Sequence, residues 1–360
     1  MMRLGYWIKA GAFTLGLTVP LMCPLGVWLG MYWLCPILFF VILPLLGRML
    51  GGDPTSYYPP IEPLRSLRAY FAVLPYLYFP LWFIALCWTA QVISSPVVSV
   101  LDGVGAVFSL GIAGAVSTCV AHEIMHRTGR GDQSYARLMI AFCGYGHLMI
   151  EHSVHHANVG DLVCGSTPRA GENVYRFVWR VALQGYRNAQ GVEARRLSRT
   201  GRASWHNAIY QNYAISLLFL MGCLALWGWA SAGVFLFQAV FTIFSVQAIT
   251  FIQHYGLVRK AGEAIAAHHS WADNCVIANA LTFNNNHHSQ HHLEPRTPYF
   301  HLRTHPEAPC LPASYMVMFV VAMVPVWWRA VMDKRLVKHQ EFIGRHAEQL
   351  ARRQSHRLIG

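Results

Sequence analysis

The segment 208–258, AIYQNYAISLLFLMGCLALWGWASAGVFLFQAVFTIFSVQAITFIQHYGLV, decides the architecture because it holds no Asp, Glu, Lys or Arg. The charge-free run begins at Ala203 and stops only before Arg259. A soluble core interrupts its apolar stretches with charge far sooner; the bilayer interior is the solvent that permits such a run. A turn near 230 divides it into spans near 208–228 and 232–253. Residues 11–47, 69–101 and 103–121 are equally free of charge. They predict spans near 11–29, 31–50, 69–92 and 102–121, paired as hairpins 11–50, 69–121 and 208–253. The expected fold is all-α and integral to a membrane, with about six transmembrane helices in one domain over 1–360. A seventh apolar run, 311–328, either crosses or lies buried beside the others. The first span is not read as a signal peptide, since its hydrophobicity runs into the second with no small-residue cleavage pattern.

The formal net charge of +12 is unevenly placed. Arg and Lys concentrate in 127–137, 169–202, 257–260 and the tail, while the turns near 30, 95 and 230 hold none. By the positive-inside rule both termini and both polar segments, 122–207 and 254–310, face the cytoplasm. The arginines then meet anionic lipid headgroups or an acidic protein partner, and not nucleic acid. A basic lead-in carries Arg3 and Lys9, Gly51–Pro63 is a turn-rich loop, and the charged tail 333–360 is expected to be a solvated or headgroup-facing helix. Nine cysteines include no CxxC pair, and six lie in or beside apolar spans, so they read as reduced packing residues.

Chemistry enters with histidine. The stretch 281–295, LTFNNNHHSQHHLEP, contains His287, His288, His291 and His292. On a helix, positions i and i+3 or i+4 share a face, so two of these imidazoles can grip one ion and the third aim at another. The HxxHH spacing recurs at His152, His155 and His156, a pattern expected by chance roughly once in several thousand windows. His122 and His126 stack at the cytoplasmic end of the fourth span, and His254 closes the sixth. Nine imidazoles exceed one coordination sphere, and two ions share them naturally. Imidazole-rich sites suit iron, copper or zinc, and a pair of ions points to redox chemistry on oxygen. His147, His268, His269 and His287 are weaker candidates, and His206, His301, His305, His339, His346 and His356 read as surface residues. Glu123 and Glu151 neighbour ligands and are expected to support them, whereas Asp273 either does so or caps a helix. Alone, His122-Glu123-xx-His126 is the zinc metalloprotease signature, but that reading leaves the other clustered histidines unexplained. A metal transporter would place its ligands near the midplane rather than at one face.

The boxes HEIMH (122–126), EHSVHH (151–156), QHYG (253–256) and HHSQHH (287–292) resemble those of the integral-membrane di-iron alkane hydroxylases and xylene monooxygenases. Membrane fatty-acid desaturases share the same histidine-box logic. GENVYRF (171–177), RRLSRTG (195–201), HSW (269–271) and the 311–335 segment resemble that hydroxylase family too. The resemblance covers most of 120–335. It departs at the second box, where two residues, Ser153 and Val154, separate the first histidine from the pair, as in desaturases. It departs again at GDLVCGSTPRA (160–170), which replaces an acidic, proline-containing stretch.

The resemblance implies a multi-pass protein of the bacterial inner membrane with a cytoplasmic cap. It implies two irons held by His122, His126, His152, His155, His156, His254, His288, His291 and His292, with O2 as co-substrate. Electrons would come from a rubredoxin or a ferredoxin-type reductase, with the basic 169–202 segment as one dock. The expected reaction is hydroxylation of a terminal or benzylic methyl group of a lipophilic hydrocarbon. The alternative is desaturation or decarboxylation of a fatty acyl chain at the same site. Substrate is expected to enter from the bilayer through the spans at 69–121, whose aromatics and glycines could line a tunnel.

Overall fold

The computed structural model describes residues 10–53, 65–95, 98–164 and 166–359, with side chains left out at 65, 66 and from 346 onward. The lead-in at Arg3 and Lys9 and most of the 51–63 loop lie outside the described residues. Among those described, the secondary structure is helical, with two isolated β-bridges, Gly52–Cys275 and Ala272–Cys310. Among the described residues, five helices are long and apolar enough to cross a membrane: α1 (Ala10–Trp28), α3 (Arg65–Ile93, apolar from Leu67), α4 (Val100–Met125), α8 (Ala208–Trp227) and α9 (Trp229–His254). Between the first two lies α2 (Leu34–Leu50), at the place of the expected second span. It is shorter, and its middle, Leu38–Ile42, is wound as a π-helix.

Local chemistry sets the ends. Ser99 Oγ accepts the Asp102 backbone N–H at 3.2 Å, and Asp102 adds a negative charge to the first turn of α4. Asn207 caps α8 by accepting the Ile209 N–H at 2.9 Å. Gly228, at φ 82°, makes the tight turn into α9, a conformation open to glycine.

The central element is α4, most of whose membrane-level residues are buried. Its small residues allow contact rather than open space: a Cβ on Gly105 would come within 2.8 Å of Trp33, and Gly111 and Gly114 are closed by Phe241 and Thr242. The aromatics of α3 are likewise core residues. Tyr78 and Trp82 are buried, and Tyr78 donates to the Ala113 carbonyl at 2.8 Å. The aromatic-and-glycine mixture of 69–121 thus builds helix packing.

The polar segments form a cap of one long helix, α7 (Val174–Thr200), and four shorter ones: α5 (Arg130–Phe142), α6 (Leu148–Ala157), α10 (Val276–Leu281) and α11 (His288–Leu293). The seventh apolar run does not cross as one helix. It splits into α12 (Tyr315–Met323) and α13 (Pro325–Ile359). Val324, at φ −112° and ψ 96°, has the extended conformation that a following proline imposes. At nine residues, α12 spans only about 13 Å.

Candidate metal centre

Four helices bring the histidines together. The last turn of α4 carries His122, with His126 at its C-cap, and α9 ends on His254. Cap helices α6 and α11 supply three each. A sharp turn aims α11: Phe283 and Asn284 adopt φ 54° and 56°, rare for side-chain-bearing residues. Asn284 Nδ2 donates to the Tyr299 carbonyl at 2.8 Å, and the Phe283 ring is buried between Phe13 and Tyr299. On α11 itself, Ser289 donates to the Ser270 carbonyl at 2.7 Å, and Gln290 accepts the Arg303 N–H at 2.6 Å.

The nine histidines fall into two groups. His122, His126, His152, His156 and His291 form one, and His155, His254, His288 and His292 the other; within each, the ligand atoms lie within 4.8 Å of one another. In the first group the Nε2 of His152 lies 3.0 Å from that of His126 and 2.8 Å from that of His156, which is 2.9 Å from that of His291. In the second, Nε2 of His288 lies 3.1 Å from that of His254 and 2.8 Å from that of His292, which is 3.2 Å from that of His155. The i,i+4 pairs 122/126, 152/156 and 288/292 each serve one group, and the i+3 residues His155 and His291 cross to the other. The groups adjoin, with the His156 and His292 rings 4.5 Å apart.

This donor set fits metal ions. At a metal–imidazole distance of about 2.0–2.1 Å, two ligands at right angles have nitrogens about 3 Å apart. Hydrogen bonding alone does not account for the convergence, since a neutral imidazole offers one donor and one acceptor on opposite nitrogens. Protonation is suppressed as well. Burial, then neighbouring imidazoles, pushes His152, His155, His288, His291 and His292 well below their ordinary range. Burial lowers His126 to about 4, and burial with neighbouring His126 and His254 lowers His156 to about 3. At neutral pH these lone pairs are available to a cation.

Of the three acids weighed as ligand supports, Glu123 and Glu151 point elsewhere, and Asp273 takes its other reading, a helix cap. Glu123 meets Arg127 at 3.3 Å, an arrangement that also leaves the metalloprotease reading without its general base. Glu151 accepts from Tyr145 and from Gln247, each at 2.8 Å, and burial raises it to about 7. Asp273 accepts the backbone N–H groups of Cys275 and Tyr315 at 2.8 and 3.1 Å, a cap joining α10 to α12. The clustered imidazoles instead direct N–H groups to neutral oxygens: His254 Nδ1 donates to the His269 carbonyl at 3.1 Å, and His155 Nδ1 to Ser166 Oγ at 2.5 Å. Ser166 carries no sequence signal, lying in an irregular loop.

The weaker candidates stand apart from both groups. His147 lies 2.7 Å from the Tyr213 hydroxyl and 3.6 Å from Glu151, and His287 lies 3.3 Å from Asn279. His268 and His269 gather about Glu263 as a third cluster. There His269 Nδ1 accepts the Ala266 N–H at 3.0 Å, so the neutral ring keeps its proton on Nε2, toward the carboxylate.

Below the histidines opens a cavity of about 1270 Å³ including its mouth. His122, His152, His155 and His288 form part of its wall, and Phe40, Phe241 and Phe319 line it as well. No residue of α3 lines it. Of the 69–121 hairpin expected to line a tunnel, only α4 contributes, and α2, α6, α9, α10 and α12 supply most of the remaining wall. Phe40 of the π-helical turn stacks on Phe319 at 5.6 Å.

A fatty acid desaturase family model matches residues 99–322. The alkane 1-monooxygenase of Pseudomonas putida is 34% identical over 330 residues, 87% of this chain and 82% of its own. Alkane 1-monooxygenase 1 of Alcanivorax borkumensis is 33% identical over 319 residues, covering 86% and 79%. The xylene/toluene monooxygenase hydroxylase component XylM of Pseudomonas putida is 31% identical over 239 residues, covering 65% and 64%.

Proposed function

The chain belongs to the fatty acid desaturase family, and from that membership together with its nine converging histidines we infer an O2-dependent membrane monooxygenase that hydroxylates hydrocarbons. The observation that carries this reading is an apolar cavity ending on two histidine groups. The nine histidines are the metal ligands, five to one iron and four to the other. Bound there, the iron pair supplies O2 activation. The protein's own part is positioning and exclusion of water. Phe40, Phe241, Phe319, Ile112 and Val116 offer a long hydrocarbon an apolar bed, so that its end, a terminal or benzylic methyl group, reaches the histidine wall. The reaction consumes O2, two electrons and two protons, and yields an alcohol and water.

Substrate enters from the bilayer beside α2 and α12, whose Phe39, Phe40 and Phe319 line the cavity. The arginines of the cap and the charge-free opposite turns support a cytoplasmic face at the bacterial inner membrane, with both termini on that side. One domain over 1–360 accommodates the whole site. The electron donor is a rubredoxin or ferredoxin-type protein. The five-histidine group is the natural point of entry: His126, His152 and His156 are partly exposed, whereas His254, His288 and His292 are buried. Arg130 and Arg296 are exposed nearby in sequence and suit an acidic donor.

The test is metal content of detergent-purified protein, with cells given octane, xylene and lauric acid under ¹⁸O2. About two irons per chain and a labelled alcohol are expected, one ion per histidine group. Alkene without alcohol would move the enzyme to desaturation or decarboxylation, and a single zinc would end the di-iron reading.

A further inference from the structure

The segment after α6 meets the four-histidine group at His155, and its described residues 159–164 and 166–168 are held from two sides. Three side chains on one stripe of α7 donate to its carbonyls: Arg180 to Thr167 at 3.3 Å, Gln184 to Val163, and Asn188 to Cys164 at 3.3 Å. Residues following α9 pin its ends. The Gly256 N–H donates to the Pro168 carbonyl at 3.1 Å, the Arg259 N–H to Gly160 at 2.9 Å, and Arg259 Nε to Val159 at 2.8 Å. So fastened, the loop delivers Ser166 Oγ to within 2.5 Å of His155 Nδ1.

No other ring of this group has so close a side-chain partner at Nδ1. His254 Nδ1 donates to a backbone carbonyl, with Ser270 Oγ farther away at 3.4 Å. The Nδ1 atoms of His288 and His292 are buried and meet no partner. His155 Nε2 faces the other ligand atoms of the group, so its N–H is on Nδ1, and Ser166 is the acceptor that keeps it there. Ser166 also lines the main cavity and a smaller one of about 270 Å³ beneath the loop, with Glu151 and His155 in both walls. His155 therefore has open space beside it, and packing alone does not hold its ring.

We propose that Ser166 is a positioning residue for the four-histidine group: its hydroxyl, stapled in place by α7, fixes the tautomer and orientation of His155 and so sets how firmly that group retains its metal. The inference rests on the reading of the nine histidines as iron ligands. Partners of ligating imidazoles typically change metal retention by about 10–100-fold when removed.

The experiment follows iron release from the full-length purified protein during a timed challenge with a ferrous chelator. Ser166→Ala should release one of the two irons about 10–100-fold faster than wild type. Ser166→Thr, which keeps the hydroxyl, should restore slow release. With ⁵⁷Fe, one of two Mössbauer signals should change in Ser166→Ala and the other stay. Thermal unfolding of the metal-depleted Ser166→Ala protein should match metal-depleted wild type; a lower midpoint would mean a purely structural role and overturn the proposal. Asn188→Ala, which removes a staple, should speed release while Ser166 is still present. Wild-type release from Ser166→Ala, or release from Ser166→Thr as fast as from Ser166→Ala, would also overturn it. His155→Ala separates the two levels. If it keeps both irons, the ligand reading itself fails; if it loses one while Ser166→Ala keeps both, only the role of Ser166 fails.

Discussion

His152 and His155 are three residues apart on α6, yet they face different histidine groups, and His288 and His291 repeat the arrangement on α11. Each of these helices therefore ties the two groups together, so loss of one histidine should be felt in both. Replacing His291 by Ala in the five-histidine group, or His254 by Ala in the four-histidine group, is expected to abolish turnover and lower iron content while membrane insertion persists. Near-normal activity in both variants would remove the nine-ligand model. Acid should act on the same residues. His126 and His156 are held at about 4 and about 3, below the ordinary 6.5. As pH falls through 6.5 the unfolded chain takes up protons first, so the folded cap loses stability progressively down to about pH 4. The metal-depleted protein should accordingly melt at a lower temperature at about pH 5 than at about pH 7, a direction set by the lowered native values. An unchanged midpoint would mean that these rings are not held neutral by burial.

At the scale of elements, α7 carries two faces with different tasks. Its inner face packs Gly185 against Glu151 and staples the 159–168 loop. Its outer face exposes Tyr175, Trp179, Leu183 and Tyr186 at spacings of four, four and three, with Trp179 at 80% exposure. Arg176 and Arg187 are exposed beside them. Aromatics and arginines on one stripe suit the headgroup layer, where an amphipathic ring sits and a guanidinium meets phosphate. Fluorescence lost on Trp179→Phe replacement should be quenchable by brominated phospholipid in reconstituted bilayers. If that component resists quenching, this face meets water or protein, and the lipid assignment of the basic 169–202 segment falls.

For the whole molecule, the cavity is where membrane helices and cap meet, and its walls should set which hydrocarbons turn over. Ala115 lies on the α4 side of the wall, with Phe40 on the α2 side. Ala115→Phe should fill the chamber and cut kcat/KM for long chains by roughly tenfold more than for short ones, the scale on which apolar pockets discriminate. Phe40→Ala should favour bulkier substrates by removing the ring stacked on Phe319. Competition between octane and hexadecane in the same membranes reads both effects. Equal preference in all three proteins would place the substrate path elsewhere.

Charge-free runs such as 203–258 determined the membrane fold, because a span needs only composition and length to be recognised. The i,i+4 pairs 122/126, 152/156 and 288/292 were equally legible, since helical geometry alone stacks them. Only tertiary structure decided that His155 and His291 cross to the opposite groups, because the relative orientation of α6 and α11 is set by packing. It also decided that the aromatics of α3 are core rather than tunnel, and that Val324–Pro325 breaks the last apolar run. Glu123, Glu151 and Asp273 stand beside ligands or a helix end in sequence. Their partners, Arg127, Tyr145 with Gln247, and the backbone at Cys275 and Tyr315, were chosen by the direction each buried carboxylate faces. Nothing local marks Ser166, since its contact with His155 depends on long-range hydrogen bonds that hold the neighbouring residues.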